Sequence, residues 1–146
     1  PKSLIMSVLT IVSVICFSIV ILIGIVFAIL YLFRRKFMPY HADAVEKSWN
    51  DLDEKNRILI IALMRVAGGG WMASSVAIGI LMYIYILQSD QLASVAMAIT
   101  GLAVSIPTLR ATLIVKRRTK ANPPVFAVVF AIILLLAGLS VALMTE

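Results

Sequence analysis

Residues 3–36 read SLIMSVLTIVSVICFSIVILIGIVFAILYLFRRK, a long uncharged stretch closed by three consecutive cations. As a helix, the apolar part would be about 45 Å long at 1.5 Å per residue, more than the ~30 Å hydrocarbon layer of a bilayer needs. It is about twice the length of a secretory h-region and lacks a small-residue cleavage pattern. Arg34, Arg35 and Lys36 follow it as a stop signal, so the stretch predicts a retained transmembrane helix that must tilt or protrude.

The rest of the chain has the same character. Of its 146 residues, 62% are hydrophobic and 14% charged, and the mean hydropathy of +1.08 marks an integral membrane protein. Uncharged runs occupy residues 3–33, 66–89, 91–109 and 121–145, the third only just long enough to cross. Spans of about 3–33, 66–89, 91–115 and 121–145 follow. Only helices or closed barrels satisfy their backbone in lipid, and no ten-residue alternating pattern suggests a barrel. The expected fold is therefore all-α: a four-transmembrane-helix bundle over residues 1–146, forming a single membrane domain.

The basic residues set its direction. Arg34, Arg35, Lys36, Lys47, Lys55 and Arg57 fall in the first loop, and Lys116, Arg117, Arg118 and Lys120 in the third. The second loop, around Asp90, has none, which predicts loops 34–57 and 116–120 in the cytoplasm and both termini outside. This topology also accounts for the net charge of +6 and the pI near 9.8, so no nucleic-acid role follows.

Local signals place the boundaries. Asp90 suits an N-cap of the third span, Asn122 with Pro123 a capped first turn of the fourth, and Asp51 with Glu54 a capping box ahead of the second. Pro107 is expected to bend the third helix. In the first loop, Val45, Trp49 and Leu52 recur at helical spacing, behind Phe37 and Tyr40. That pattern predicts a short interfacial amphipathic helix between helices 1 and 2, with Tyr40, His41 and Trp49 as anchors.

The second span opens on LMRVAGGGW, residues 63–71. A span over 66–89 leaves Arg65 at the boundary, its stem snorkelling, whereas a span from Ile58 to about Leu81 would sink it by two turns at a cost of several kcal/mol. In the first register Gly68, Gly69 and Gly70 lie just inside the membrane. Gly68, Ser75 and Gly79 then form one stripe, and Gly70, Ser74 and Ala77 another on the nearly opposite side. Two small-residue stripes predict two close neighbours, with helix two at the centre of the bundle. Ser94, Ala98, Gly101 and Ser105 give helix three a similar face, while helix one, rich in Ile, Val and Phe all round, is expected to face lipid or a protein partner.

Arg65 and Arg110 admit two readings. They pair with loop acids such as Asp51, Asp53 or Glu54, or they converge on an anionic headgroup with Lys116, Arg117 and Arg118, each contributing about 1 kcal/mol near an anionic surface.

Three segments, FMPYHADAVEKSW, LMRVAGGGW and PTLRATLIVKRRTKANPPV, resemble a family of small bacterial four-span inner-membrane proteins. The resemblance covers roughly residues 37–125 and implies a bacterial inner-membrane location; it supplies no catalytic residues. Arg110 stands where the family pattern has an aromatic, and Val125 where it has tryptophan, so Arg110 inherits no role.

Catalytic signals are sparse. His41 is the only histidine and Cys16 the only cysteine, and no acid lies within the apolar runs, so neither an acid–base pair, a haem site nor a metal cluster is expected. Small multidrug transporters need an intramembrane carboxylate in their first helix, and residues 3–33 have none. The reading left is a non-catalytic accessory or lipid-associated subunit without a cofactor, expected to contact anionic lipids, with helix 1 as the face open to a protein partner. The alternative is a small transporter or channel working as a homo-oligomer.

Overall fold

The computed structural model describes residues 2–145, with side chains described from Val8 onward. Helices α1 (Lys2–Phe33), α2 (Pro39–Val45), α3 (Glu54–Gln88), α4 (Gln91–Arg118) and α5 (Val125–Leu143) follow one another, with a 3₁₀ turn at Trp49–Asp51. Four of them, all except α2, are long and apolar enough to cross a membrane. The protein is an all-α, multi-pass membrane bundle.

Local chemistry sets the boundaries. Ser89 turns into the left-handed region (φ 52°) and its N–H bonds the Tyr85 carbonyl, closing α3; Asp90 then caps α4 by accepting from the Leu92 N–H at 2.8 Å. With this turn of so few residues, α3 and α4 are antiparallel neighbours. The start of α5 differs from expectation. Asn122 is exposed and lies outside the helix, which begins only at Val125 after two prolines. A residue preceding proline is pushed out of the helical region, so Pro123, followed by Pro124, cannot be the first helical residue after an Asn122 cap. The cap of α3 also shifts: it is Asp53, while Asp51 turns back to accept from the Ser48 hydroxyl at 2.6 Å and the Ser48 N–H at 3.2 Å. Pro107 lies inside an unbroken α4.

The loop helix is shorter than its apolar spacing predicts. Glu46 takes a left-handed conformation (φ 53°) and ends α2 at Val45, so Val45, Trp49 and Leu52 do not share one helical face. Instead Trp49 meets the Phe37 ring edge-on at 5.1 Å, and Phe37, Leu52 and Met64 bury together as a small core under the loop.

The four long helices form a ring in which α1 packs on α3 and α5, and α4 on α3 and α5. Chain direction alternates around it. One end of the bundle holds the two basic loops, and the other the Ser89–Asp90 turn and the chain ends; they are called here the basic end and the terminal end. The ring corrects two expectations. Helix α3 is no more central than its neighbours, and α1 is not an outlier: Ser13, Phe17, Val20, Gly24 and Ala28 are buried at three- and four-residue spacing. Small residues on α1 make the contact that its abundant Ile and Val obscure in the sequence. The outward faces are apolar, with Leu22, Val26, Ile80, Ile99 and Ile133 all exposed, the inverse of a water-soluble bundle.

Small residues hold each seam, as expected where lipid removes the hydrophobic drive between helices. Between α1 and α3, a Cβ on Gly68 would lie 3.0 Å from the Leu32 backbone nitrogen, and one on Gly24 would collide with the Ser75 hydroxyl. Between α1 and α5, the buried Ser13 hydroxyl donates to the Gly138 carbonyl at 2.9 Å. Gly101 of α4 lies against the Leu135 side chain of α5, and Ser74 of α3 donates to the Thr100 carbonyl of α4 at 3.4 Å. The face of α4 read from Ser94, Ala98, Gly101 and Ser105 is buried throughout. Gly70 and Gly79 depart from the expected stripes, and Gly69 from its expected packing role, because a Cβ on any of them would meet open space.

Candidate functional site

Arg65 is spent within the bundle. Its Nη1 donates to the Tyr31 carbonyl at 3.0 Å and its Nη2 to the Arg34 carbonyl at 3.1 Å, both in the last turn of α1 or just past it. Terminal carbonyls have no partner within their own helix, and a cation at a helix C-terminus also meets the negative end of the dipole. Gly68, one turn further along α3, lets α1 come close enough for this bridge. Neither reading drawn from the sequence anticipated the arrangement: Arg65 pairs with no loop acid, and it does not join Arg110. Arg110 is exposed on α4, which is not a ring neighbour of α1, and it has no polar partner among the described residues. Lys116, Arg117 and Arg118 are exposed at the end of α4. Among the described residues the one ion pair is Lys120–Glu46 at 3.4 Å, too exposed to contribute much.

The feature with binding capacity is a cavity of about 450 Å³ in the basic half of the bundle. Helices α3 and α4 are joined by their short turn and the Ser74–Thr100 contact, and beyond that contact residues of both line the cavity. Ala67 on α3 and Ala111 and Thr108 on α4 line the gap and cannot fill it. Ala67 and Ala111 are both exposed, so the cavity opens sideways between these helices. Phe27 of α1 and Trp71 of α3, stacked at 5.7 Å, line it on the side of those helices, and Val128 on the side of α5. Helix α2 lines it toward the basic loops through Tyr40, His41 and Ala44.

Charge is absent from this lining, which includes no Asp, Glu, Lys or Arg. Polar groups in the walls are already occupied: the Thr108 hydroxyl donates to the Val104 carbonyl at 2.8 Å, and that of Thr112 to the Thr108 carbonyl at 3.0 Å. At the α2 end the situation is different. Tyr31 and Tyr40 share a hydrogen bond between their hydroxyls, and the Tyr40 and His41 rings meet edge-on at 4.3 Å. The Met38 N–H donates to His41 Nδ1 at 3.3 Å, which leaves the proton of a neutral imidazole on Nε2. Burial pushes the His41 pKa below its ordinary 6.5 and the Tyr40 pKa above its ordinary 10, so near pH 7 the imidazole is neutral with its single proton on Nε2 and the phenol keeps its proton.

Tyr40 and His41, read from the sequence as interfacial anchors, are half-buried and both contact Tyr31. Trp49 lies apart from them, on Phe37. The cavity itself was not read from the sequence. Its trace there is the small residues Ala44, Ala67 and Ala111, which carry no chemistry and become a void only when three helices converge. Among the described residues no group of three or more His, Cys, Asp or Glu could hold a metal ion.

No family model, curated protein or solved structure matches the chain.

Proposed function

We propose that this protein is a non-catalytic, lipid-associated accessory subunit of the bacterial inner membrane, oriented with its basic end in the cytoplasm. The observation that carries the reading is the sideways opening of an uncharged cavity in the same half of the bundle as the free cations. A membrane lipid entering between α3 and α4 would place a chain against Phe27 and Trp71 and leave its headgroup outside, within reach of Arg110, Lys116, Arg117 and Arg118. Apolar pockets of ligand-binding size fall at about 300–1,000 Å³, and this one lies in that range. The basic residues add electrostatic attraction to an anionic leaflet. The resemblance to bacterial four-span proteins and the loop charge support the location.

A conducting path has less support. Hydroxyls of Thr100, Thr108, Thr112 and Ser140 are bonded to their own helix carbonyls, as in packed helices, rather than arrayed along a wet face.

Lipid carried through purification in mild detergent tests the proposal, with quantification by mass spectrometry. Ala111→Phe, which fills the cavity, is expected to lower total bound lipid at least severalfold, and replacing Lys116, Arg117 and Arg118 with Gln to lower its anionic share. Equal lipid in all three proteins would contradict the reading.

A further inference from the structure

The cavity is more selective than an apolar groove needs to be. A chain alone would be served by aromatic and aliphatic walls, yet three polar rings gather at one end. Two phenols facing each other use only one of their two protons in the bond between them; the other hydroxyl proton is left over. His41 Nε2–H adds a second donor, since among the described residues the imidazole is bonded only at Nδ1. Tyr40 and His41 are in ring contact at 4.3 Å, so the donors belong to one cluster, and all three residues line a space with no competing charge.

Such an end disfavours an ion. A phosphate or carboxylate drawn inside would lose its water and find no cation among the lining residues, a cost of several kcal/mol. A neutral carbonyl oxygen fits: it has two lone pairs, carries no charge and is matched by two donors. We propose that the Tyr31–Tyr40–His41 cluster recognises the carbonyl oxygen of an uncharged group on an amphipathic membrane molecule whose apolar part occupies the cavity. Two sources share this chemistry, the ester carbonyl of a glycerolipid and the ring carbonyl of an isoprenoid quinone. In the first, the headgroup stays outside at the basic residues; in the second, the ring itself lies against the cluster. The inference rests on the lipid-holding reading above and specifies what that site selects.

The test uses the full chain in detergent micelles, titrated with three probes and read by native mass spectrometry. The probes are a diacylglycerol, the dialkyl ether of matched chain length that lacks both carbonyls, and a short-chain isoprenoid benzoquinone. The wild-type chain is expected to bind the ester about tenfold more tightly than the ether, as two neutral hydrogen bonds would give. His41→Ala and the double variant Tyr31→Phe/Tyr40→Phe each reduce that preference, while Tyr31→Phe or Tyr40→Phe alone, each of which leaves one phenol proton free, retains it. Quinone binding tighter than the ester identifies the quinone source, and weaker binding the glycerolipid. Equal binding of ester and ether, a preference that survives both donor variants, or no binding of any probe overturns the inference. Ala111→Phe separates the two levels. Loss of every probe in that variant, with ester and ether equal in the wild type, sinks only the carbonyl selection; undiminished binding in it sinks the lipid-holding reading as well.

Discussion

Arg65 donates to the main-chain carbonyl of Tyr31 at 3.0 Å, so a permanent cation on the third helix ends the first. The same tyrosine bonds Tyr40 through its hydroxyl. Tyr31 therefore joins the end of α1, the entry of α3 and the loop helix α2, and the cavity's polar end depends on that junction.

Removing the cation should loosen the junction without touching the cavity wall. Arg65→Met is expected to lower unfolding stability by roughly 1.5–3 kcal/mol, the range for hydrogen bonds made by a charged group. Arg65→Lys should recover part of this, since an ammonium reaches one carbonyl where the guanidinium reaches two. Arg110→Met should change stability by less than about 0.5 kcal/mol, as for an exposed side chain without partners. Thermal unfolding in mild detergent, followed by helical circular dichroism, orders the three variants.

The three glycines of residues 68–70 should separate sharply. A methyl group on Gly68 would meet Leu32 and Tyr31 at 2.9–3.0 Å, contacts that include backbone, so Gly68→Ala is expected to cost roughly 1–3 kcal/mol as overpacking. Gly69→Ala and Gly70→Ala meet open space and should stabilise the helix by up to about 1 kcal/mol. Equal effects at all three positions in the same unfolding assay would contradict the placement of α1 on α3.

The contrast among these glycines also shows what the sequence could carry. The number of spans was legible because hydrocarbon thickness acts on each segment separately, and four helices alternate in direction as a consequence. Which face of a helix meets which neighbour depends on all four helices at once. Gly68 and Gly70 look alike in sequence, yet one touches backbone and the other nothing. The partners of Arg65 were illegible for a related reason: main-chain carbonyls leave no mark on residue identity. Tyr40 and His41 were legible as interfacial anchors, but Tyr31, inside its apolar run, carried no signal of its own, and only the bend after Phe33 brings the three together. The length of α2 was missed because Glu46, a residue with good helix propensity, adopts the left-handed turn.

His41 should make stability depend on pH. Burial lowers its pKa in the folded chain, so the folded state disfavours the charged imidazole. As pH falls below the ordinary value of 6.5, the unfolded chain takes up a proton that the folded chain resists, and stability declines until the pH passes the folded pKa. The contribution is fully present above 6.5. Unfolding temperatures measured from pH 7.5 downward should show this decline in the wild type and a flatter profile in His41→Gln.

The central claim is that a lipid chain enters the bundle and reaches its interior aromatic wall. Trp71 is 7% exposed, so lipid running along the outside of the bundle would quench its fluorescence weakly. The decisive measurement is quenching of Trp71 in a Trp49→Phe background, reconstituted with phospholipid brominated on its acyl chains, with and without Ala111→Phe. Strong quenching that Ala111→Phe removes is the predicted result. Weak quenching in both proteins, or strong quenching that the filled cavity leaves unchanged, would contradict it.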